Sequence, residues 1–191
     1  MNGKSLDDMT DEERWRLFPI ILSNHQSSWK KSFLDEKIVL EPIIGSANIV
    51  RINHIGSTAV PGLIAKPTVD ILLEIAEETD IPGLVSRMQE AGYRCIPQDD
   101  KPAPGLMFTK GYTEAGFKGQ VFHIHVRYKG DWDEPYFRDY LVTHPEAAVE
   151  YGQLKQDLAV KYKYNRDAYT EGKTAFIKRI TNLAKTGVSN P

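Results

Sequence analysis

Apolar positions follow two successive periods along this chain, and the switch between them organises the fold it predicts. Thr10 followed by Glu13 is a capping-box pattern that opens a short helix, which Pro19 stops. Residues 19–22 read as a brief apolar strand. Trp29, Phe33, Leu40 and Ile44 recur at helical spacing and predict one buried face, with Pro42 ending that helix early. Ile49–Ile55 reads as a strand, and Thr68–Ile75 is the nearly continuous apolar run of a buried central strand. The intervening GSTAVPGLIAKP is too rich in Gly and Pro for a regular element. Asp80 caps a helix over about residues 82–91 that Gly92 closes, and strands follow at 93–96, 106–109 and 120–128.

From Glu134 onward the period is helical. Thr143 and Glu146 form a second capping-box pattern, and Ala147, Tyr151, Leu154, Leu158 and Tyr162 form the stripe of the helix it opens. Phe176, Ile177, Ile180 and Leu183 mark a last helix. This order predicts an α+β fold with an α/β core and helical flanks. We expect one domain over 1–191, with 1–18 as an N-terminal extension and 134–185 as a helical C-terminal part.

Composition narrows the function classes. The 191 residues carry 24 basic and 26 acidic side chains, a net charge of −2, and a single cysteine. Nucleic acid is not an expected partner, because such domains usually concentrate a basic excess. Cys95 alone makes neither an intrachain disulfide nor a cysteine zinc site, and reads as a buried, inert thiol. The first fifteen residues are polar and acidic where a secretory signal would be apolar, and no run approaches the ~18 apolar residues of a membrane span. The chain is therefore expected in the cytoplasm, with no membrane partner. The Asn2-Gly-Lys-Ser string lacks the upstream glycine and strand of a P-loop, and neither GxSxG nor GxGxxG occurs.

The segment from His54 to Ile75 carries the most chemistry. Gly56 and Ser57 follow a strand into a turn, where backbone amides and a hydroxyl can cradle phosphate. Asp70 interrupts an apolar run, and a buried carboxylate costs several kcal/mol unless cations or donors compensate it. Two readings fit: a phosphate cradle beside a divalent-cation ligand, or a capped turn whose amides satisfy Asp70. His123 and His125 alternate on one strand, so both imidazoles face the same side, about 6.6–6.8 Å apart. They are read either as cleft residues that ligate a metal softer than magnesium, donate to phosphate or act as a general base, or as a hydrogen-bonded structural pair. Lys66, Arg138, Lys155 and Lys173 either meet phosphate charge or solvate outer faces. His144 belongs to a helix entry.

The strings HIGSTAVPGLIAKP, WKKSFLDEK, FHIHV, FRDYLVTHPE and RDAYTEGKTAFI together resemble the GrpB family, also called UPF0157, from about Pro19 to Ile180. The resemblance implies the nucleotidyltransferase superfamily, with its mixed sheet, flanking helices and a C-terminal helical segment. It implies Gly56 and Ser57 as phosphate-binding residues, Asp70 as a ligand for Mg²⁺ or Mn²⁺, and a nucleotide or other phosphorylated small molecule as partner. Catalytic roles would fall to Asp70, His123 and His125, with Lys66, Arg138, Lys155 and Lys173 on the phosphates. The superfamily pattern has a second carboxylate two residues after the first, and here that position is Leu72; Glu74 is expected as a strand-end carboxylate near solvent. The departure leaves two alternatives: a non-catalytic binding or accessory module on the same fold, and a histidine-centred metal-dependent hydrolase.

Overall fold

The computed structural model describes residues 4–187, so Asn2 and Gly3 and the ends of the expected 1–191 domain lie outside the described residues. In chain order the elements are α1 (Asp11–Leu17), α2 (Ser28–Ile44), β1 (Ile49–Ile55), β2 (Thr68–Ile75), α3 (Ile81–Glu90), β3 (Arg94–Pro97), β4 (Leu106–Thr113), β5 (Gly116–Tyr128), α4 (Asp133–Thr143), α5 (Pro145–Lys161), α6 (Arg166–Glu171) and α7 (Thr174–Thr186). The strands form one five-stranded mixed sheet in the order β1-β2-β5-β4-β3. Only β2 and β5 run parallel; the other pairs are antiparallel.

Because side chains alternate across a strand, the central pair has two different faces. Val69, Ile71, Leu73 and Ile75 of β2 and Phe122, Ile124 and Val126 of β5 join Trp29, Leu40 and Ile44 of α2 and Leu84 and Met88 of α3 in one core. Asp70, Leu72, His123 and His125 face the other way. A second apolar cluster joins Val60 and Leu63, from the loop after β1, to Phe137, Tyr140, Tyr151, Phe176 and Ile180 of the C-terminal helices. The loop carrying Gly56 and Ser57 is thereby tied to the helical part.

Several expectations need correction. Residues 19–22 form no strand; Ser23 makes a single bridge to Ala65 instead. Pro42 does not end α2, because a proline near the last turn removes only one hydrogen bond; the helix runs on to Ile44, where the Gly45 amide donates to the Glu41 carbonyl at 3.0 Å. Thr143 does not cap α5. Its hydroxyl turns back to the Asp139 and Tyr140 carbonyls, closing α4, and His144 takes the cap position. Cys95 is half-buried rather than buried, and burial raises its thiol pKa.

The β4–β5 hairpin is longer than its hydrophobic pattern suggests. A register shift between Lys110 and Tyr112 marks a bulge at Gly111, which has φ +93°. An added Cβ there would lie 2.8 Å from the Gln120 carbonyl oxygen, so the bulge depends on glycine. Bulges re-aim side chains, and this one turns Tyr112 over the His123 ring, with centroids 5.8 Å apart and nearly parallel planes. Phe18 packs against Tyr112 and Phe117, joining the N-terminal segment to the same hairpin.

Candidate metal and anion site

Parallel pairing sets Asp70 opposite His123 and Leu72 opposite His125. Asp70 Oδ1 lies 3.4 Å from His123 Nδ1 and 3.5 Å from His125 Nε2. One donor atom from each residue falls within 4.8 Å of the others, a grouping found nowhere else among the described residues. These N···O separations are long for hydrogen bonds. They match the ligand-to-ligand edge of a tetrahedral ion with bonds of about 2.0–2.2 Å, roughly 3.3–3.6 Å. Burial raises the Asp70 carboxyl pKa, but the two facing imidazoles outweigh it and hold the group well below the usual carboxylate range. Burial also lowers the His123 pKa, against the pull of Asp70, which favours the neutral imidazole a metal needs.

Supporting residues fix this geometry. The Tyr112 hydroxyl lies 2.7 Å from His123 Nε2, leaving Nδ1 toward Asp70. Arg166 Nη2 donates to that hydroxyl at 3.4 Å, while Nη1 donates to the Phe18 carbonyl at 2.9 Å. Gly56 has φ +69° and ψ −173°, and a Cβ there would sit 2.5 Å from Asp70 Oδ2. Gly56 therefore makes room for the carboxylate itself. Leu72 is fully buried on the Asp70 face, so no second carboxylate stands there to bridge a pair of ions. Glu74 is not near solvent as expected: it is fully buried because Arg51, opposite it on edge strand β1, covers it with Nε 2.6 Å from Oε2.

The expected cations separate into two groups. Lys155 is buried, and its Nζ donates to Ser57 Oγ at 3.0 Å and to the Ile64 carbonyl. Burial, helped by Lys173, lowers its pKa to about 7. Lys66 is lowered to about 7 by burial and by Arg166 and Lys173. Lys173 falls to about 8 through burial, with Asp70 opposing and Arg166 adding to the drop. Lys66, Lys155, Lys173 and Arg166 thus crowd one region, where Asp70 is the anion that opposes the drop at Lys66 and Lys173, an unbalanced arrangement that a bound anion would relieve. Arg138 is engaged elsewhere. Its Nη1 donates to the His54 carbonyl at 2.8 Å and its Nε to Asp139 at 2.7 Å, fastening α4 to β1.

This crowding has a signature in stability. A lysine with a folded-state pKa near 7 against an ordinary 10.5 binds fewer protons folded than unfolded between those values. Stability therefore rises with pH across that window, and the penalty is complete below about 7. In phosphate-free buffer the urea midpoint is expected to climb between pH 7 and 9, and Lys66→Met to flatten the climb; a level wild-type profile refutes the shift.

Sequence reasoning missed Tyr112 and Arg166. Arg166 begins the RDAYTEGKTAFI string, but nothing in its spacing distinguished it from a solvated helix-start residue. Tyr112 lay beyond the expected end of β4, and its role depends on the Gly111 bulge.

A profile of the GrpB protein family matches residues 19–183. The glutamate-rich protein GrpB of Alkalihalophilus pseudofirmus is 38% identical over 168 residues, covering 85% of this chain and 94% of that one. A UPF0157 protein of Pseudomonas aeruginosa is 32% identical over 182 residues, covering 95% of this chain and 72% of that one. The crystal structure of conserved protein GrpB from Enterococcus faecalis superposes with a TM-score of 0.76 at 29% identity, covering 87% of this chain and 98% of that chain. No helix among the described residues is long and apolar enough to cross a membrane. The profile match, the relatives and the shared fold together make this chain a member of the GrpB family.

Proposed function

We propose that this protein is a metal-dependent enzyme acting at the phosphate of a phosphorylated small molecule, a nucleotide being the first class to test. The observation that carries the reading is the meeting of Asp70, His123 and His125 within 4.8 Å, beside the Lys66, Lys155 and Lys173 cluster. Three protein ligands leave coordination positions open for water or substrate, as catalytic sites require. Two imidazoles favour Mn²⁺, Co²⁺ or Zn²⁺ over Mg²⁺, which prefers oxygen ligands. Of the two ions expected from the sequence, Mn²⁺ therefore suits the donors better.

The chain's own groups divide the work. Asp70, His123 and His125 hold the ion, whose chemistry would be to polarise a phosphate oxygen or a bound water. Lys66, Lys155 and Lys173 offset negative charge on the phosphate, and Lys155 fixes the Ser57 hydroxyl for it. With Leu72 in the second carboxylate position, one ion rather than two is expected, which favours hydrolysis or single-ion transfer over two-metal nucleotidyl transfer.

Equilibrium dialysis with Co²⁺, Mn²⁺ and Zn²⁺ tests the reading. One ion per chain is expected, with a tetrahedral or five-coordinate visible spectrum for Co²⁺; absence of binding at millimolar metal would sink it. Tyr112→Phe removes the partner of His123 Nε2 and is expected to weaken the ion by about 10–100-fold at little cost in stability. Unchanged affinity would remove Tyr112 from the site's support. If the ion binds but no nucleotide or phosphate ester is turned over, the protein is a binding module on this fold.

A further inference from the structure

A cavity of about 320 Å³ opens beside the site described above, and the proposed function leaves it unassigned. Lys66 and Arg166 bring positive charge to its lining, and Pro19, Ile21 and Phe117 supply apolar walls. Thr68 and Val121 also line it, and they pair in register two residues before Asp70 and His123 on the same sheet face. That step along the strands is about 6.6–6.8 Å. Arg166 links cavity and site directly, since it lines the first and hydrogen-bonds the tyrosine that touches His123. The hollows at α4 and α7 and beside α5 have no Lys or Arg in their linings.

We propose that this cavity binds the organic part of the substrate, and that this part is an aromatic ring on a phosphate ester. The proposal rests on the phosphate reading of the neighbouring site and adds the class of group attached to it. The volume lies at the low end of small-molecule pockets, enough for one or two fused rings. Phe117, 44% exposed, and Pro19 offer flat apolar surface, against which a planar ring gains more than a flexible polyol. Gln120 Nε2 is held by the Pro67 carbonyl at 2.8 Å, which leaves its Oε1 to accept from an N–H on the ring's edge. A ring seated against Phe117 leaves Lys66 and Arg166, in the same lining, to meet the ester phosphate. A nucleoside phosphate and a simple aryl phosphate share this chemistry, and the test separates them.

Calorimetric titrations of the full chain with inorganic phosphate, glycerol phosphate, phenyl phosphate and adenosine monophosphate decide the matter. Both aromatic esters are expected to bind at least about 10-fold tighter than inorganic phosphate, and glycerol phosphate is not. A further gain for adenosine monophosphate over phenyl phosphate assigns the ring edge to Gln120 and a nucleoside source; equal affinity assigns an aryl source. Ile21 also lines the cavity and is 52% exposed, so Ile21→Trp fills the space without disturbing the core. This variant is expected to erase the aromatic advantage and leave phosphate affinity unchanged. The inference is overturned if glycerol phosphate gains as much as phenyl phosphate, if Ile21→Trp leaves the advantage intact, or if no aromatic ester binds at millimolar concentration. An aromatic preference sensitive to Ile21→Trp in a chain that binds no metal overturns the metal reading alone; metal binding without that preference overturns this inference alone.

Discussion

Asp70→Asn is expected to weaken the divalent ion by at least about 100-fold, beyond the 10–100-fold typical of losing an outer partner of a ligand. The amide keeps the shape but gives up the anionic oxygen that stands 3.4 Å and 3.5 Å from the two imidazole nitrogens. The same change removes the anion that Lys66 and Lys173 feel, so their proton affinities fall further. Phosphate binding without metal is expected to survive, because the lysines remain and one opposing charge has gone. Cobalt titration followed at visible wavelengths, beside phosphate titration of the same variant, separates the two effects. Equal cobalt affinity in Asp70→Asn and wild type would remove Asp70 from any metal site.

Gly56→Ala is expected to carry the largest stability cost in the site, about 3 kcal/mol, from two sources. At φ +69° and ψ −173° the backbone occupies a region essentially reserved for glycine, costing of order 1–3 kcal/mol for any other residue. The new methyl would also lie 2.5 Å from Asp70 Oδ2 and 3.0 Å from Asp70 Cβ, on a strand that cannot retreat because β5 pairs with it on its other side. For a chain of this size the loss corresponds to a fall in Tm of about 6–12 °C. Combining Gly56→Ala with Asp70→Ala removes the carboxylate from the clash but keeps the backbone cost, so the double variant should recover only part of the stability. Strict additivity of the two changes would show that Gly56 and Asp70 do not compete for this space.

Both expectations concern residues that the sequence made visible, though for incomplete reasons. Asp70 stood out because a carboxylate inside TVDILLEI demands compensation, and FHIHV set two imidazoles on one face by alternation alone. Gly56 was read as letting a ligand approach the backbone. In the structure its missing side chain serves a carboxylate fourteen residues later, a contact that local spacing does not encode. Ser57 and Lys155 were each seen as cations or donors for phosphate, but their 3.0 Å bond joins positions 98 apart in the chain.

By itself, the sequence determined the bounds of β1 and β2, the alternation that aims Asp70 and the histidine pair, the family, and a leucine rather than a carboxylate at position 72. These follow from local periodicity, residue type and long matching strings, which need no knowledge of the partner strand. Tertiary structure decided the rest. Parallel pairing of β2 with β5 brought Asp70 to His123; the Gly111 bulge turned Tyr112 onto that histidine; and α5, α6 and α7 delivered Lys155, Arg166 and Lys173 to the same region. Glu74 was buried for the same kind of reason: exposure depends on which neighbours arrive, here Arg51 of the edge strand. Pairing register and helix docking arise from the burial of whole faces, a collective free energy that no single segment contains.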